Sequence, residues 1–248
     1  MDLGIEGKCA AVGGSTSGLG LATARSLIAA GVRVAICGRD PERLENAARE
    51  LGEQAVPIRA DLSEPEGATR FFKEAQTALG SVDILVPNAG GPPPGNFAST
   101  ELEAYSPALS LNLLSVVALC KAAVPAMQAR GWGRVLAITS SSVKQPINGL
   151  ILSNTARAGA TAFLKTLANQ VAADGVTVNS IQPGLHATAR LESLFGGDLA
   201  AAAKQAPTGT VGDPEDFGRI AAFLCSVHTR FMTGTAIPVE GGVYPGLF

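Results

Sequence analysis

The chain has 248 residues, 46 % of them hydrophobic, which suits one α/β domain with a sizeable core. The formal net charge of −2 and the absence of a basic cluster argue against nucleic acid or an anionic membrane as partner. The four cysteines form no Cys-x-x-Cys pair, which predicts buried free thiols, and the two histidines stand far apart, which argues against a metal site. The first six residues lack the basic and apolar regions of a signal peptide, so we expect a cytoplasmic protein.

Short apolar runs alternate with amphipathic segments along the chain. The runs predicted as strands are Cys9–Val12, Val32–Cys37, Ala55–Ala60, Val82–Val86, Arg134–Thr139, Val176–Ile181 and Ala236–Val239. The segments predicted as helices are Leu21–Ala30, Pro41–Leu51, Ser63–Leu79, Leu109–Ala129, Ser153–Ala172 and Pro214–Cys225. This alternation predicts an α/β fold, a Rossmann-type doubly wound parallel sheet of about seven strands with helices on both faces. We expect residues 1–248 to form a single domain.

Local signals mark the start of three of these helices. Asp40-Pro41 and Asp213-Pro214 place a capping carboxylate before a proline, whose missing N–H costs nothing at the first helical position. Ser63-x-x-Glu66 fits a capping box. The weakly charged stretch 104–120 contains a proline and an asparagine, which favours a loop and a buried helix over a membrane span.

A glycine-rich turn follows the first strand and opens a helix. Glycines let the backbone turn sharply and let a phosphate approach closely, and the helix N-terminus then offers free N–H groups to the anion. The spacing Gly14-x-x-x-Gly18-x-Gly20 is wider than G-x-G-x-x-G, and three glycines also suit an ordinary loop. The residues predicted to bind a dinucleotide here are Gly14, Ser15, Ser17, Gly18, Leu19 and Gly20.

In a doubly wound sheet the ligand lies at the carboxyl ends of the strands, so the residues after each strand are candidates. Arg39 follows the second strand and suits a 2′-phosphate, which favours NADP while leaving NAD possible; a solvated surface arginine fits the same position. Asp61 and Leu62 follow the third strand, where Asp61 either accepts from the adenine amino group or only helps to cap the next helix. The other strand-end candidates are Asn88, Ala89, Gly90, Ser140, Pro183 and Gly184.

These motifs together resemble the short-chain dehydrogenase/reductase family over essentially the whole chain. The glycine turn resembles that family's T-G-x-x-x-G-x-G with Gly13 in place of threonine, and Asn88-Ala89-Gly90 resembles the end of its N-N-A-G. Pro183-Gly184 with Thr188 resembles the P-G-x-x-x-T stretch that binds the nicotinamide amide, and Asn112 matches the helix asparagine of the catalytic set. Among family members, the chain is most similar to the 3-oxoacyl-acyl-carrier-protein reductases.

The sequence departs from the family at the catalytic residues. The resemblance implies a serine, a tyrosine thirteen residues later and a lysine four residues after that; these positions hold Ser140, Ser153 and Arg157. In the family, the tyrosine protonates the developing oxyanion, and a serine hydroxyl is a much weaker acid on a shorter stem. Arginine keeps the positive charge and could bind the cofactor ribose, but its fork geometry differs from that of lysine.

The resemblance to the family, together with the departure of this sequence at the catalytic residues, leads to two possible functions. The first is an NADP(H)-dependent oxidoreductase that acts on a small-molecule carbonyl or alcohol, with a 3-oxoacyl thioester among the candidates. Ser140 would orient the carbonyl, Asn112 would hold a water relay, Arg157 would bind the ribose, and the proton would come from Ser153 or from water. The second is an NADP(H)-binding, catalytically impaired homologue with a regulatory or structural role.

The resemblance also implies an assembly and a substrate lid. Family members are commonly tetramers, so we expect a homotetramer or a dimer that pairs the two long helices. The segment 188–212 falls where the family keeps its mobile lid, and its apolar side chains suggest an apolar substrate or a partner chain. The proline-rich stretch 90–95 is either a rigid wall of the pocket or a structural turn.

Overall fold

One parallel sheet forms the centre of the protein. The computed structural model describes residues 1–247, in which the strand order is β3-β2-β1-β4-β5-β6-β7. The strands are β1 Cys9–Val12, β2 Arg33–Gly38, β3 Ala55–Arg59, β4 Ile84–Val86, β5 Gly133–Ile138, β6 Val176–Pro183 and β7 Ala236–Val239. The strand order reverses between β1 and β4, so the carboxyl ends of these two strands are the place where this fold binds ligands.

Helices cover both faces of the sheet, as the sequence predicts. They are α1 Gly18–Ala29, α2 Pro41–Leu51, α3 Pro65–Leu79, α4 Tyr105–Leu109, α5 Ser115–Arg130, α6 Ile151–Val171, α7 Ala189–Leu194, α8 Leu199–Ala203 and α9 Pro214–Leu224. Buried residues of α3, α5 and α6 pack with the strands in one core cluster, and those of α1, α2 and α9 pack in a second. The doubly wound Rossmann-type fold is therefore confirmed.

Two of the three predicted helix starts are confirmed. The Asp40 carboxylate accepts a hydrogen bond from the Arg43 N–H at 3.1 Å, and α2 begins at the following proline. The Asp213 carboxylate accepts from the Glu215 N–H at 2.8 Å at the start of α9. Each carboxylate satisfies one of the N–H groups that the first helical turn leaves without a partner.

The capping box predicted at Ser63 is wrong. The helix α3 begins at Pro65, after Glu64, and no side chain caps it. Proline suits the first helical position, so Ser63 lies one residue too early to cap the helix. The Ser63 N–H instead donates to the Asp61 carboxylate at 2.9 Å, in a turn that precedes the helix.

The helix before β5 is longer and less regular than the predicted Leu109–Ala129. It runs from α4 through a π-helical turn, Ser110–Leu114, into α5. The stretch 102–130 is long and apolar enough to cross a membrane by length and composition alone. Leu119, Ala123 and Met127 of α5 are nonetheless fully buried in the core, and the core helix of a globular protein passes the same test.

The four cysteines are buried free thiols, as predicted. Burial raises the pKa of Cys37, Cys120 and Cys225 to about 12, because the apolar surroundings disfavour the thiolate. These three thiols therefore stay protonated at neutral pH, which makes them poor nucleophiles.

A glycine in α9 permits the close packing of α9 on α1. A Cβ atom at Gly218 would overlap the backbone carbonyl of Ala22 and lie 2.7 Å from the Ser26 hydroxyl. We expect Gly218→Ala to destabilise the fold by about 1–3 kcal/mol, since backbone atoms must move apart. Thermal unfolding should show a melting temperature lower by roughly 2–4 °C for each kcal/mol. The matched control is Gly149→Ala, where no atom lies within 4 Å of the added methyl, and equal melting temperatures for the two variants would contradict this packing.

Candidate active site

A cleft of about 410 Å³ lies at the carboxyl ends of the central strands. It is lined by the glycine turn, by the loop after β4, by the end of β5, by α6 and by the segment from the end of β6 to α7. The predicted site residues that line it are Gly14, Ser17, Gly18, Leu19, Gly20, Asn88, Ala89, Gly90, Ser140, Ser153, Arg157, Pro183, Gly184 and Thr188. The fold thus brings most of the sequence candidates into one cavity.

The glycine turn has the geometry of an anion cradle. Gly14 and Gly18 have φ angles of +50° and +56°, which residues that carry a side chain rarely adopt. The Asn88 amide donates to the carbonyls of Gly13 and Gly14 at 3.0 and 3.1 Å. Ser17 precedes α1 without capping it through its side chain. The first N–H groups of α1 are therefore available to a phosphate, and the turn fits a dinucleotide.

Ser15, a predicted cofactor residue, is hydrogen-bonded within the protein. Its side chain is fully buried and does not line the cleft. The hydroxyl donates to the Val12 carbonyl at 2.8 Å and accepts from the Cys37 N–H at 3.0 Å, and the Ser15 N–H donates to the Cys37 carbonyl at 3.1 Å. With both donors engaged, Ser15 ties the glycine turn to β2 and has no donor left for a cofactor.

The predicted adenosine end of the site lies outside the cleft. Arg39 is exposed, Asp61 is half-buried, and the two form an ion pair at 3.9 Å. Burial opposes ionisation of Asp61, but hydrogen bonds from Ser63 and the charge of Arg39 outweigh it and lower the pKa of the carboxyl. Leu62 is buried beside the glycine turn. Arg39 therefore presents a solvated cation beyond the end of β2, as both sequence interpretations allowed.

Asn112 lies in the π-helical turn and is 3 % exposed. Its amide donates to the Gly90 carbonyl at 3.0 Å, which fixes the loop after β4. Its carbonyl oxygen is buried and has no partner among residues 1–247. A buried acceptor in this position suits a bound water, since an unpaired polar atom in the interior is costly. Asn112 itself does not line the cleft.

Two serine hydroxyls line the cleft at the positions that the sequence predicts to be catalytic. The Ser140 hydroxyl accepts from the Ser142 N–H at 3.1 Å, which leaves its own hydrogen free to donate to a ligand. Ser153 lies in the first turn of α6 and is 7 % exposed. Its hydroxyl has no hydrogen-bond partner in the part of the chain that the structure describes, so it too can donate into the cleft.

Arg157 lies four residues after Ser153 on the same face of α6, as the helical spacing predicts. One terminal nitrogen of its guanidinium donates to the carbonyls of Ile138 and Thr139 at 3.0 and 3.1 Å, and the other donates to that of Ala89 at 3.3 Å. Burial, and then the charge of Arg190, lower the pKa of Arg157 to about 10. The side chain stays cationic at neutral pH and joins the strand ends of β4 and β5.

Two residues that line the cleft are not among the site residues predicted from the sequence. Arg190, on α7, donates to the Pro92 carbonyl at 2.7 Å, and His186 packs edge-on against Phe217 with 5.1 Å between ring centroids. Burial lowers the pKa of His186, so the imidazole is neutral at pH 7. His186 lies within the P-G-x-x-x-T stretch and Arg190 lies two residues after it, and this proximity is the signal that could have identified them.

Comparisons with known proteins identify the family of this chain. A family model described as Enoyl-(Acyl carrier protein) reductase matches residues 14–244. The 3-oxoacyl-[acyl-carrier-protein] reductase of Vibrio cholerae is 31 % identical over 242 residues, which cover 98 % of this chain and 99 % of that protein. The reductase of the same name from Aquifex aeolicus is 31 % identical over 248 residues, 98 % of this chain and 100 % of that one.

Solved structures give the same result. The crystal structure of L-sorbose reductase from Gluconobacter frateurii, complexed with NADPH and L-sorbose, has a TM-score of 0.93 at 33 % identity and covers 100 % of both chains. The matches to the family model, to curated sequences and to this structure all extend over nearly the whole chain. The protein therefore belongs to the short-chain dehydrogenase/reductase family of oxidoreductases.

Proposed function

We propose that this protein is an NADP(H)-dependent carbonyl reductase in which two serines act where the family has serine and tyrosine. The observation that carries the proposal is that Ser140, Ser153 and Arg157 line one cleft together with the glycine turn. The names of its relatives support a carbonyl substrate, with 3-oxoacyl thioesters and small ketones as candidates.

The cleft residues divide between holding the cofactor and holding the substrate. We assign the pyrophosphate to the glycine turn Gly14–Gly20, and the nicotinamide amide to Pro183, Gly184 and Thr188. When bound, NADPH supplies a hydride for the carbonyl carbon. The protein must then orient the carbonyl group and bring a proton to its oxygen.

The two serine hydroxyls supply these remaining functions. The Ser140 hydroxyl donates its free hydrogen to the carbonyl oxygen of the substrate and so orients the carbonyl group. The Ser153 hydroxyl gives that oxygen a proton. Serine is a weak acid, so Ser153 must regain its proton at once from water. The buried carbonyl oxygen of Asn112, which lacks a partner within residues 1–247, supports a bound water that would relay this proton from solvent.

The direct test is NADPH oxidation with a panel of ketones and 3-oxoacyl thioesters. We expect turnover with some of them, and we expect Ser153→Ala to lower kcat roughly 100-fold, the lower end of the effect of a general acid. The dissociation constant of NADPH should not change, because the hydroxyl acts on the substrate. Thr166→Ala, an exposed threonine on the same helix, is the matched control. An unchanged turnover in Ser153→Ala would exclude Ser153 as the proton donor. If the natural chain oxidises NADPH with none of the carbonyl compounds, the proposed reductase function is rejected.

A second function is favoured by one observation, namely that the cation at the lysine position is engaged by three backbone carbonyls. In that case the protein binds NADP(H) without turnover and has a regulatory or structural role. Arg157 then stabilises the strand ends, and Ser153 is only a small residue at the tyrosine position.

Restoring the family residues separates the two functions. If the protein is a silent binder, Ser153→Tyr together with Arg157→Lys should create ketone reduction where the natural chain shows none. The phenol supplies the acid, and the ammonium favours its ionised form. Ser153→Tyr alone serves as control, because it keeps the hydrogen bonds of Arg157 to the strand ends. Ketone reduction by the natural chain would contradict the second function.

We further propose that NADP is preferred over NAD because of Arg39. The exposed guanidinium follows β2, where the 2′-position of the adenosine ribose lies in this fold. We expect Arg39→Ala to weaken the binding of NADPH roughly 10- to 100-fold, which corresponds to the loss of a charge-assisted hydrogen bond. The affinity for NADH should not change. Fluorescence titration measures both constants, with Arg70→Ala on α3 as control. Equal losses for the two cofactors would show that Arg39 does not recognise the phosphate.

The assembly and the lid also remain proposals. A groove between α3 and α5, lined by the half-exposed Leu114 with Val117, Ala118 and Ala122, supports a homodimer or tetramer that buries the long helices. The segment 188–212 contains α7 and α8, and Leu191 and Leu194 of α7 line the cleft. This placement supports a lid that covers the substrate.

A further inference from the structure

The active-site cleft has an unbalanced charge. Among the described residues that line it, Arg157 and Arg190 carry positive charge, and none is an aspartate or a glutamate. The two guanidiniums are close enough for the charge of Arg190 to lower the pKa of Arg157, after the larger effect of burial. Placing like charges in one partly desolvated cavity is unfavourable unless an anion joins them.

Arg190 is held at the mouth of this cleft. One terminal nitrogen donates to the Pro92 carbonyl at 2.7 Å, and the guanidinium lies over Gly91, where an added Cβ would be 3.1 Å from that nitrogen. No acidic side chain within residues 1–247 pairs with Arg190. The remaining N–H groups of the fork are therefore positioned, without a protein acceptor, at the edge of the cavity.

The surroundings of Arg190 indicate the substrate rather than the cofactor. The residues assigned to the pyrophosphate lie on the glycine turn, and the cation assigned to the 2′-phosphate is Arg39 at the end of β2. Arg190 instead contacts Gly91 and Pro92, which extend beyond the strand-end residues Asn88–Gly90. Apolar side chains that line the same cleft include Ile147, Leu150, Leu191, Leu194 and Val243.

We propose that Arg190, reinforced by the positive charge of Arg157, binds a carboxylate of the substrate. This inference rests on the proposed reductase function and narrows it, because the substrate class becomes an oxo acid with an apolar chain instead of a neutral ketone or thioester. The planar guanidinium fork matches the two oxygens of a carboxylate.

The test is a binding measurement that needs no turnover. Calorimetry on the NADPH-saturated protein compares 3-hydroxyoctanoate with its methyl ester, two reduced compounds that cannot accept a hydride. We expect the acid to bind at least about tenfold more tightly than the ester. Arg190→Gln should abolish this difference while it keeps an amide donor for Pro92, and Arg190→Lys should retain part of it. Arg70→Gln on the exposed face of α3 is the control for charge alone.

The outcomes separate this inference from the function on which it rests. Equal affinities of acid and ester in the natural chain would overturn the carboxylate site. A tenfold loss of NADPH affinity in Arg190→Gln would overturn it as well, by assigning Arg190 to the cofactor pyrophosphate. Failure of the natural chain to bind NADPH at all would instead reject the proposed function and this inference with it. If the protein binds the acid more tightly than the ester but reduces no ketone, the carboxylate site at Arg190 is supported and only the proposed reductase activity is rejected.

Discussion

The organisation of the active site depends on the hydrogen bonds of Arg157 to three backbone carbonyls. Where strands end, their last carbonyl groups lose the partners that the ladder provides, and a buried carbonyl without a donor is costly. The guanidinium satisfies those of Ile138, Thr139 and Ala89 at once, which a lysine ammonium could not do with the same planar geometry. The cation that the family uses to tune a phenol therefore serves here to join β5 to the loop after β4.

A second set of contacts fixes the glycine turn relative to that edge. The Asn88 amide bonds the turn on one side, and Ser15 bonds it to β2 on the other. Both sets meet at the loop after β4, next to the point between β1 and β4 where the strand order reverses and the fold leaves a crevice. A rigid turn between two anchored strands keeps the first N–H groups of α1 directed at one point, which a phosphate site requires.

The sequence predicts the parts of this structure that depend on local patterns. Alternating apolar runs identify the strands, and the Asp-Pro pairs identify the starts of α2 and α9, because each signal acts within a few residues. The capping error at Ser63 is also local, because Pro65 takes the first helical position only two residues later. Contacts distant in sequence decide other features, such as the hydrogen bond between Ser15 and Cys37 of the neighbouring strand. The contact between Arg190 and Pro92 joins residues 98 positions apart, and no local pattern reveals it. The spacing of Ser153 and Arg157 predicts their shared face, but not that backbone carbonyls already occupy the arginine.

The charge of the cleft indicates how reduction could proceed with a weak acid. Hydride addition to a carbonyl places negative charge on its oxygen, and either a proton or a nearby fixed charge can stabilise it. A general acid is typically worth ~10²–10⁴ in rate, whereas one preorganised donor aimed at a developing oxyanion is worth ~10²–10³. Arg157 remains protonated at neutral pH, because its pKa stays near 10 despite its burial. A permanent cation with serine hydroxyls beside it can thus recover much, though not all, of what the missing phenol would supply. In the proposed reaction the cation adds electrostatic stabilisation to the proton that Ser153 gives, and a substrate carboxylate bound at Arg190 would bring the carbonyl into the same field.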